Sequence, residues 1–483
     1  MRTTRKLAVW VSLIVILSLL ATACGNGNSN NANNSSTNQT NNGTTPTDTN
    51  TAGGDDGEHK PVTIVTWDKP SATEPQWKVD LHNKLLESFK EKYPWITVED
   101  KEFAPGTDYL QKYDQALLAG DEPTVASFFT DGNIKQRAKD GTLADITEQY
   151  ENWDLRKEGK VITGMDPSLH IDGKWYGVPS FIDLNYVVVN RKLIKDAGLD
   201  PDNIPTTFKE FGEFAGKVTD KNKNRFGFGL MGMEWNAWPF TNMVWNAGGE
   251  MVTDNGDGTG KLTFAEQPGV DAIMFWHDLV WKNKATQKNV LESWQDLLND
   301  FTQGRTAMQW LGLSSFMGDY VNKYGGKLED LDILTTPHAE GKTSYNMGGG
   351  GVWGISPKAT KEQKDAAFLY IVHNSYDLDS LKLIAQTKAD NNNPDILPSV
   401  RTDFSPLDYA KDLPASWKGK LDELAKTAKI VPSFLNWNDV KNALAKPIQE
   451  IILKKDITPE QAQAILQKTA DEIYAKYPES FHK

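Results

Sequence analysis

Tryptophans and carboxylates stand at the positions in this chain where chemistry could be done. Trp67 and Asp68 close the β-rich run 62–67 (VTIVTW), Asp131 follows the short apolar segment 123–129, and Asp183 lies in the extended run 181–190. Trp235, Trp238 and Trp245 share one aromatic cluster, Trp310 follows Ala307 and Met308, and Trp353 follows the glycines 348–351. An indole face stacks on the flat, apolar C–H face of a sugar ring, and a carboxylate accepts the hydrogen bonds its hydroxyls donate. The chain holds sixteen tryptophans, more than a core of this size asks for. Each also has an ordinary structural use. Trp67 fits a core ring, Asp68 a helix-capping acid, and Asp131 the cap of a helix beginning near Asn133. Trp238 and Trp245 fall three and ten residues after Trp235, which is helical spacing, so at least one belongs in a core.

The elements that must position these residues alternate. A strand at 62–67 leads to a helix at 76–92, whose apolar positions Val79, Leu81, Leu85, Leu86 and Phe89 share roughly one face. A strand at 96–98, a helix at 109–119 and a buried strand within 123–129 follow. Strand–helix alternation implies an α/β fold, with a parallel sheet covered on both faces and ligands bound beyond the carboxyl ends of its strands. That rule points at Trp67, Asp68 and Asp131. Later helices are expected after the cap Pro205-Thr206-Thr207, at 269–281 and at 294–303, with a polar hairpin turn at 254–260.

Composition excludes other readings. A net charge of −13 argues against nucleic acid or anionic lipid as the main partner. Seven scattered histidines and a single cysteine leave no metal-ligand spacing, so no cofactor is expected. The glycine run 348–351 lacks the lysine–serine of a phosphate loop. Asp220, Asn222 and Asn224 have the oxygen spacing of a calcium loop, but Arg225 and Met231 stand where its glycine and glutamate would be, so a polar turn is expected. Residues 1–23 read as a signal peptide: Arg2, Arg5 and Lys6, then an apolar run too short to span a bilayer. Residues 24–59 are almost entirely Asn, Thr, Ser, Gly and Asp, a composition expected to form a disordered tether. Ala21-Thr22-Ala23-Cys24 resembles the bacterial lipoprotein box, which implies lipidation of Cys24 and a membrane anchor on the extracellular face of a Gram-positive-type bacterium.

Several ordered segments carry a wider resemblance: Gly141-Thr-Leu-Ala-Asp-Ile146, Asp172-Gly-Lys-Trp-Tyr-Gly-Val-Pro179, Asn190 through Gly198, Phe301-Thr-Gln-Gly-Arg-Thr-Ala-Met308, and Trp353 with Ile355-Ser-Pro-Lys358. In this order the chain resembles the extracellular solute-binding family 1 of ABC importers, the group that includes maltose-binding protein. The resemblance implies a two-lobe, periplasmic-binding-protein-like (type II) fold with discontinuous lobes joined by a hinge. Residues 60–182 and 352–400 would form lobe 1, and residues 183–351 and 401–483 lobe 2. It further implies a monomeric, non-enzymatic receptor that captures an oligosaccharide between the lobes and passes it to the permease. The ligand-binding residues it points to are Trp67, Asp68, Asp131, Asp183, Trp235, Trp238, Trp310, Gly350 and Trp353. The glycine run serves either close approach to ligand or the hinge alone.

Overall fold

A computed structural model describes residues 59–71, 73–102, 109–129, 134–255, 260–312, 316–410, 413–430 and 437–477. Cys24 and Asp131 lie outside them. The first sheet grows from Val62–Lys69, which turns Ile64 and Thr66 inward and pairs in parallel with Ile96–Glu102 and Val125–Phe129. Helices Gln76–Lys92 and Tyr109–Ala119 make the crossovers. One neighbour is antiparallel: Asn346–Ile355 pairs with Val125–Phe129 through its second half. The core of this lobe gathers Ile64, Phe89, Tyr113, Phe128, Val352 and Ile371.

The second sheet runs Leu331–Leu334, Tyr186–Asn190, Thr306–Leu311, Phe226–Gly229. Tyr186–Asn190 (YVVVN) is buried along its whole length and antiparallel to both neighbours, so this sheet is mixed rather than parallel. Helix Phe208–Val218 starts at Thr207, whose hydroxyl accepts the Glu210 N–H, and turns Phe211 and Phe214 into the core. Helices Ala237–Asn246, Gln267–Trp281, Trp437–Leu453 and Pro459–Lys476 complete that core.

The two sheets are joined by a ladder. Val178–Leu184 lies antiparallel to Asn346–Ile355, with Phe181 opposite Gly351, Ile182 opposite Gly350 and Asp183 opposite Gly349. Val178 and Val352 belong to the first core, whereas at the other ends Leu184 packs with Tyr186 and Val188 of the second sheet and Met347 joins the second core. Both strands therefore pass from one lobe to the other. The extended run expected at 181–190 breaks at Asn185, a buried residue whose N–H donates to the Met347 carbonyl at 2.9 Å. A third segment also crosses: Ile396 and Leu397 pack with Leu184 and Tyr186, and Val400 packs in the first core.

Trp67 and Asp68 sit where the strand's register against Ile96–Glu102 slips by one residue, and they reach different partners: Trp67 meets Tyr109 edge-on at 6.0 Å while Asp68 accepts the Tyr370 hydroxyl at 3.2 Å. Asp100 anchors this second group: it accepts the Thr66 hydroxyl at 2.7 Å and the Asp68 N–H at 3.2 Å, and His82 Nε2 lies 2.6 Å from its other oxygen. Burial, aided by the Asp100 charge, pushes the Asp68 carboxyl up to about 7, against weaker opposing pulls from Tyr370 and His82. Asp100 is also desolvated, yet the His82 and Thr66 hydrogen bonds outweigh this and hold it below the usual range.

The sign of the linkage follows. Between about pH 4 and 7 the unfolded chain ionises Asp68 while the folded chain keeps its proton, so this group's contribution falls as pH rises and levels off above. Asp100 acts oppositely, but below that window. Glu292, pushed up to about 7 by burial and by Asp300 and Asp296, titrates in the same window as Asp68. Asp68→Asn is expected to flatten, without abolishing, the decline of the urea midpoint over that range and to raise the midpoint near about pH 8. An unchanged profile in urea titrations of the variant would show that Asp68 is ionised in the fold.

Candidate functional site

A cavity of about 460 Å³ opens where the crossing strand meets the first lobe's helices. Its walls come from residues 180–183, the end of helix Lys361–Ser375, helix Leu378–Asp390 and the third crossing segment. Phe181, which is 42 % exposed, and Asp183 supply one wall, Asn374 and Leu381 another. On a further wall the Lys388 ammonium donates to Asp395 at 2.6 Å, so each neutralises the other. Asp183 accepts the Asn185 side-chain N–H at 3.3 Å.

Of the residues expected from sequence, Asp183 lines this cavity and Gly350 and Trp353 sit on the neighbouring strand. Gly350 is demanded by packing: a Cβ there would stand 2.1 Å from the Phe181 carbonyl oxygen. The close approach it permits is therefore strand to strand. Trp353 lies further into the first lobe, and its indole N–H donates to Ser375 Oγ at 2.8 Å. Trp67 is half-buried against the first core, and Asp68, expected beside it at the site, is half-buried with its carboxyl accepting the Tyr370 hydroxyl.

The second lobe carries a separate aromatic group. Trp235 precedes helix Ala237–Asn246, is 41 % exposed, and has Trp294 at 6.5 Å and a 46° tilt. Trp238 is half-buried and meets Trp310 edge-on at 5.1 Å. Trp310 itself is corrected from a stacking residue to a core one: it is 4 % exposed and its N–H donates to Asn242 Oδ1 at 3.0 Å. Its role is to back Trp238. Trp245 is likewise core. At the Asp220 turn the carboxylate accepts the Asn222 N–H at 3.1 Å, and Asn224 takes a left-handed conformation, φ 49°.

Sequence reasoning passed over three residues. Phe181 shares a strand face with Asp183 two positions on, a period-2 signal available in the sequence. Trp294 opens helix Trp294–Thr302 and was read only as the start of that helix. Glu292, two residues before it, has a half-buried carboxyl with one oxygen that lacks a hydrogen-bond partner among the described residues; nothing in the sequence marks it. Pushed up to about 7 by burial, that carboxyl keeps its proton below that pH and can then donate a hydrogen bond as well as accept one. Exposed rings, hydroxyls, amides and acids of this kind suit reversible binding by stacking and hydrogen bonds. Among the described residues no group of His, Cys, Asp and Glu could hold a metal ion, and no helix is long and apolar enough to cross a membrane.

Comparison with known proteins agrees with this architecture. The probable amino-acid ABC transporter periplasmic-binding protein of Sinorhizobium fredii is 28% identical over 41% of this chain and 43% of its own length. The diacetylchitobiose binding protein of Streptomyces coelicolor is 29% identical over 40% of this chain and 42% of its own. The alignments thus span less than half of these curated relatives. The solute binding protein of an ABC transporter from Thermotoga lettingae, solved with alpha-D-tagatose, superposes with a TM-score of 0.69 at 22% identity, covering 86% of this chain and 99% of that one. It shares the two-lobe α/β fold. A family profile described as bacterial extracellular solute-binding protein matches residues 70–372. That match begins just after the strand Val62–Lys69 and takes in the crossing ladder and every strand of the second sheet, and by it the chain belongs to the bacterial extracellular solute-binding protein family.

Proposed function

We propose that this protein is the substrate-binding lipoprotein of an ABC importer, capturing an oligosaccharide between its lobes and delivering it, unaltered, to the membrane permease. The observation that carries the reading is the exposed Trp235 face, backed by Trp294, on a lobe joined to the other by extended crossing strands. Residues 60–182 with 352–400 would move as one body against 183–351 with 401–483. Solute touching both bodies favours the closed form through differential contacts, since equal affinity for both forms would shift nothing. Trp238 is the second stacking candidate and Asp183 the hydrogen-bonding acid at the crossing. The protein acts as a monomer, held to the outer face of the membrane through lipid on Cys24. The diacetylchitobiose-binding relative supports a sugar; the relative named for amino acids favours a non-sugar solute as the second reading.

Two experiments test it. Thermal-shift measurements on the full chain with N,N′-diacetylchitobiose, arabinotriose and maltotriose, alongside amino acids and peptides, are expected to show a raised melting temperature with a saccharide. At a hundred times Kd the stabilisation is about 2.7 kcal/mol. Trp235→Ala should weaken that saccharide about tenfold or more. Shifts with amino acids or peptides alone would overturn the sugar, and steady hydrolysis of the added glycan would make the protein an enzyme. Separately, Cys24→Ala is expected to move the protein from the membrane pellet to the soluble fraction; retention in the pellet would contradict the lipid anchor.

A further inference from the structure

The ladder between the lobes carries an irregularity at one point. Gly351 pairs with Phe181 but the next residue, Val352, pairs with Pro179, so Ser180 is the extra residue of a β-bulge. Bulges re-aim the side chains beside them. Here they are Ser180, whose hydroxyl is buried without a hydrogen-bond partner among the described residues, and Phe181, whose ring is 42 % exposed. Both line the cavity. Opposite them Gly351 has no side chain, and could have none. A Cβ there would fall 2.2 Å from the Phe181 ring and 2.3 Å from Ser180 Oγ. Bulge and glycine together set an exposed aromatic ring on the cavity wall, with a buried hydroxyl beside it.

We infer that Phe181 and Ser180 form a solute-binding element built into the hinge, with Phe181 stacking on a neutral sugar ring and Ser180 hydrogen-bonding one of its hydroxyls. The inference rests on the solute-binding reading and adds to it a specificity-determining residue that lies on the crossing strand itself. About 460 Å³ admits a unit of one or two rings. The mutual neutralisation of Lys388 and Asp395 leaves that wall without an unpaired charge to recruit an ionic solute, and favours an uncharged one. Solute held by the crossing strand would be coupled to lobe rotation directly, because the group that binds it belongs to the segment that must bend.

The test uses the full chain and the same three saccharides, with binding measured by titration calorimetry. Phe181→Ala is expected to weaken the bound saccharide about tenfold, the size of an aromatic stacking contact, with the cooperative unfolding transition retained, at a lowered melting temperature, in the absence of solute. Phe181→Tyr should bind within about threefold of the parent, and Ser180→Ala should lose about fivefold, as for one hydrogen bond. Phe181→Ala should also narrow the affinity gap between the cyclic saccharides and sorbitol, an open-chain polyol with no ring face, which a purely structural role would leave intact. Equal affinity in the parent and Phe181→Ala overturns this inference and leaves the receptor reading standing. Binding of none of the saccharides by the parent chain overturns this inference and the sugar reading on which it rests.

Discussion

The closeness of two strands governs this molecule. Val178–Leu184 and Asn346–Ile355 meet in six register pairs, and their contact is possible because the second strand bares its backbone where the first presses on it. At Gly350 the partner's carbonyl oxygen occupies the place of a side chain, and at Gly351 an aromatic ring does. Glycine costs conformational entropy in a strand, roughly 0.5–1 kcal/mol each relative to alanine. The ladder offsets that cost with paired backbone, and with a crossing thin enough for both lobes to share. Each lobe then closes around its own end of the strands, Val178 and Val352 on one side, Leu184 and Met347 on the other.

From that constraint the rest of the arrangement follows. The second lobe carries its aromatic group just before helix Ala237–Asn246, where Trp235 is exposed beside Trp294. The buried residues behind these faces are as purposeful as the exposed ones. Trp310 spends its hydrogen-bonding group on Asn242 and its ring on Trp238, which fixes the plane of a half-buried indole. Asp68 and Asp100 bind the end of the first strand to helices Gln76–Lys92 and Lys361–Ser375 through His82 and Tyr370. A bound sugar would meet rigid walls on either side of a bendable joint.

Much of this was legible in the sequence. Apolar periodicity placed helices 76–92 and 109–119 where they stand, and the cap at Thr207 marked the start of the next. The ordered motifs gave the family. Side-chain direction was harder. Trp67 and Asp68 are adjacent yet reach different partners at a slip in register between Thr66 and Lys69, which depends on pairing with a distant strand. Trp310 lies in Thr306–Leu311, a strand buried on both faces, where alternation gives no hint of which ring is open. The bulge at Ser180 depends on register between strands far apart in the chain, which no local pattern encodes. Phe181 was in view as part of an extended run, yet its exposure follows from that bulge.

The most direct measurement is the distance between the lobes with and without solute. Leu118, 90 % exposed on a first-lobe helix, and Leu453, 46 % exposed at the end of a second-lobe helix, offer positions for a dye pair. Leu118→Cys and Leu453→Cys, in a Cys24→Ser background, would be labelled and followed by single-molecule energy transfer. With the saccharide that raises the melting temperature, the account predicts that a broad distance distribution collapses to a narrow one displaced from it, in proportion to occupancy. A distribution unchanged at saturating saccharide would contradict it: the sugar would bind, but the crossing strands would not be a hinge.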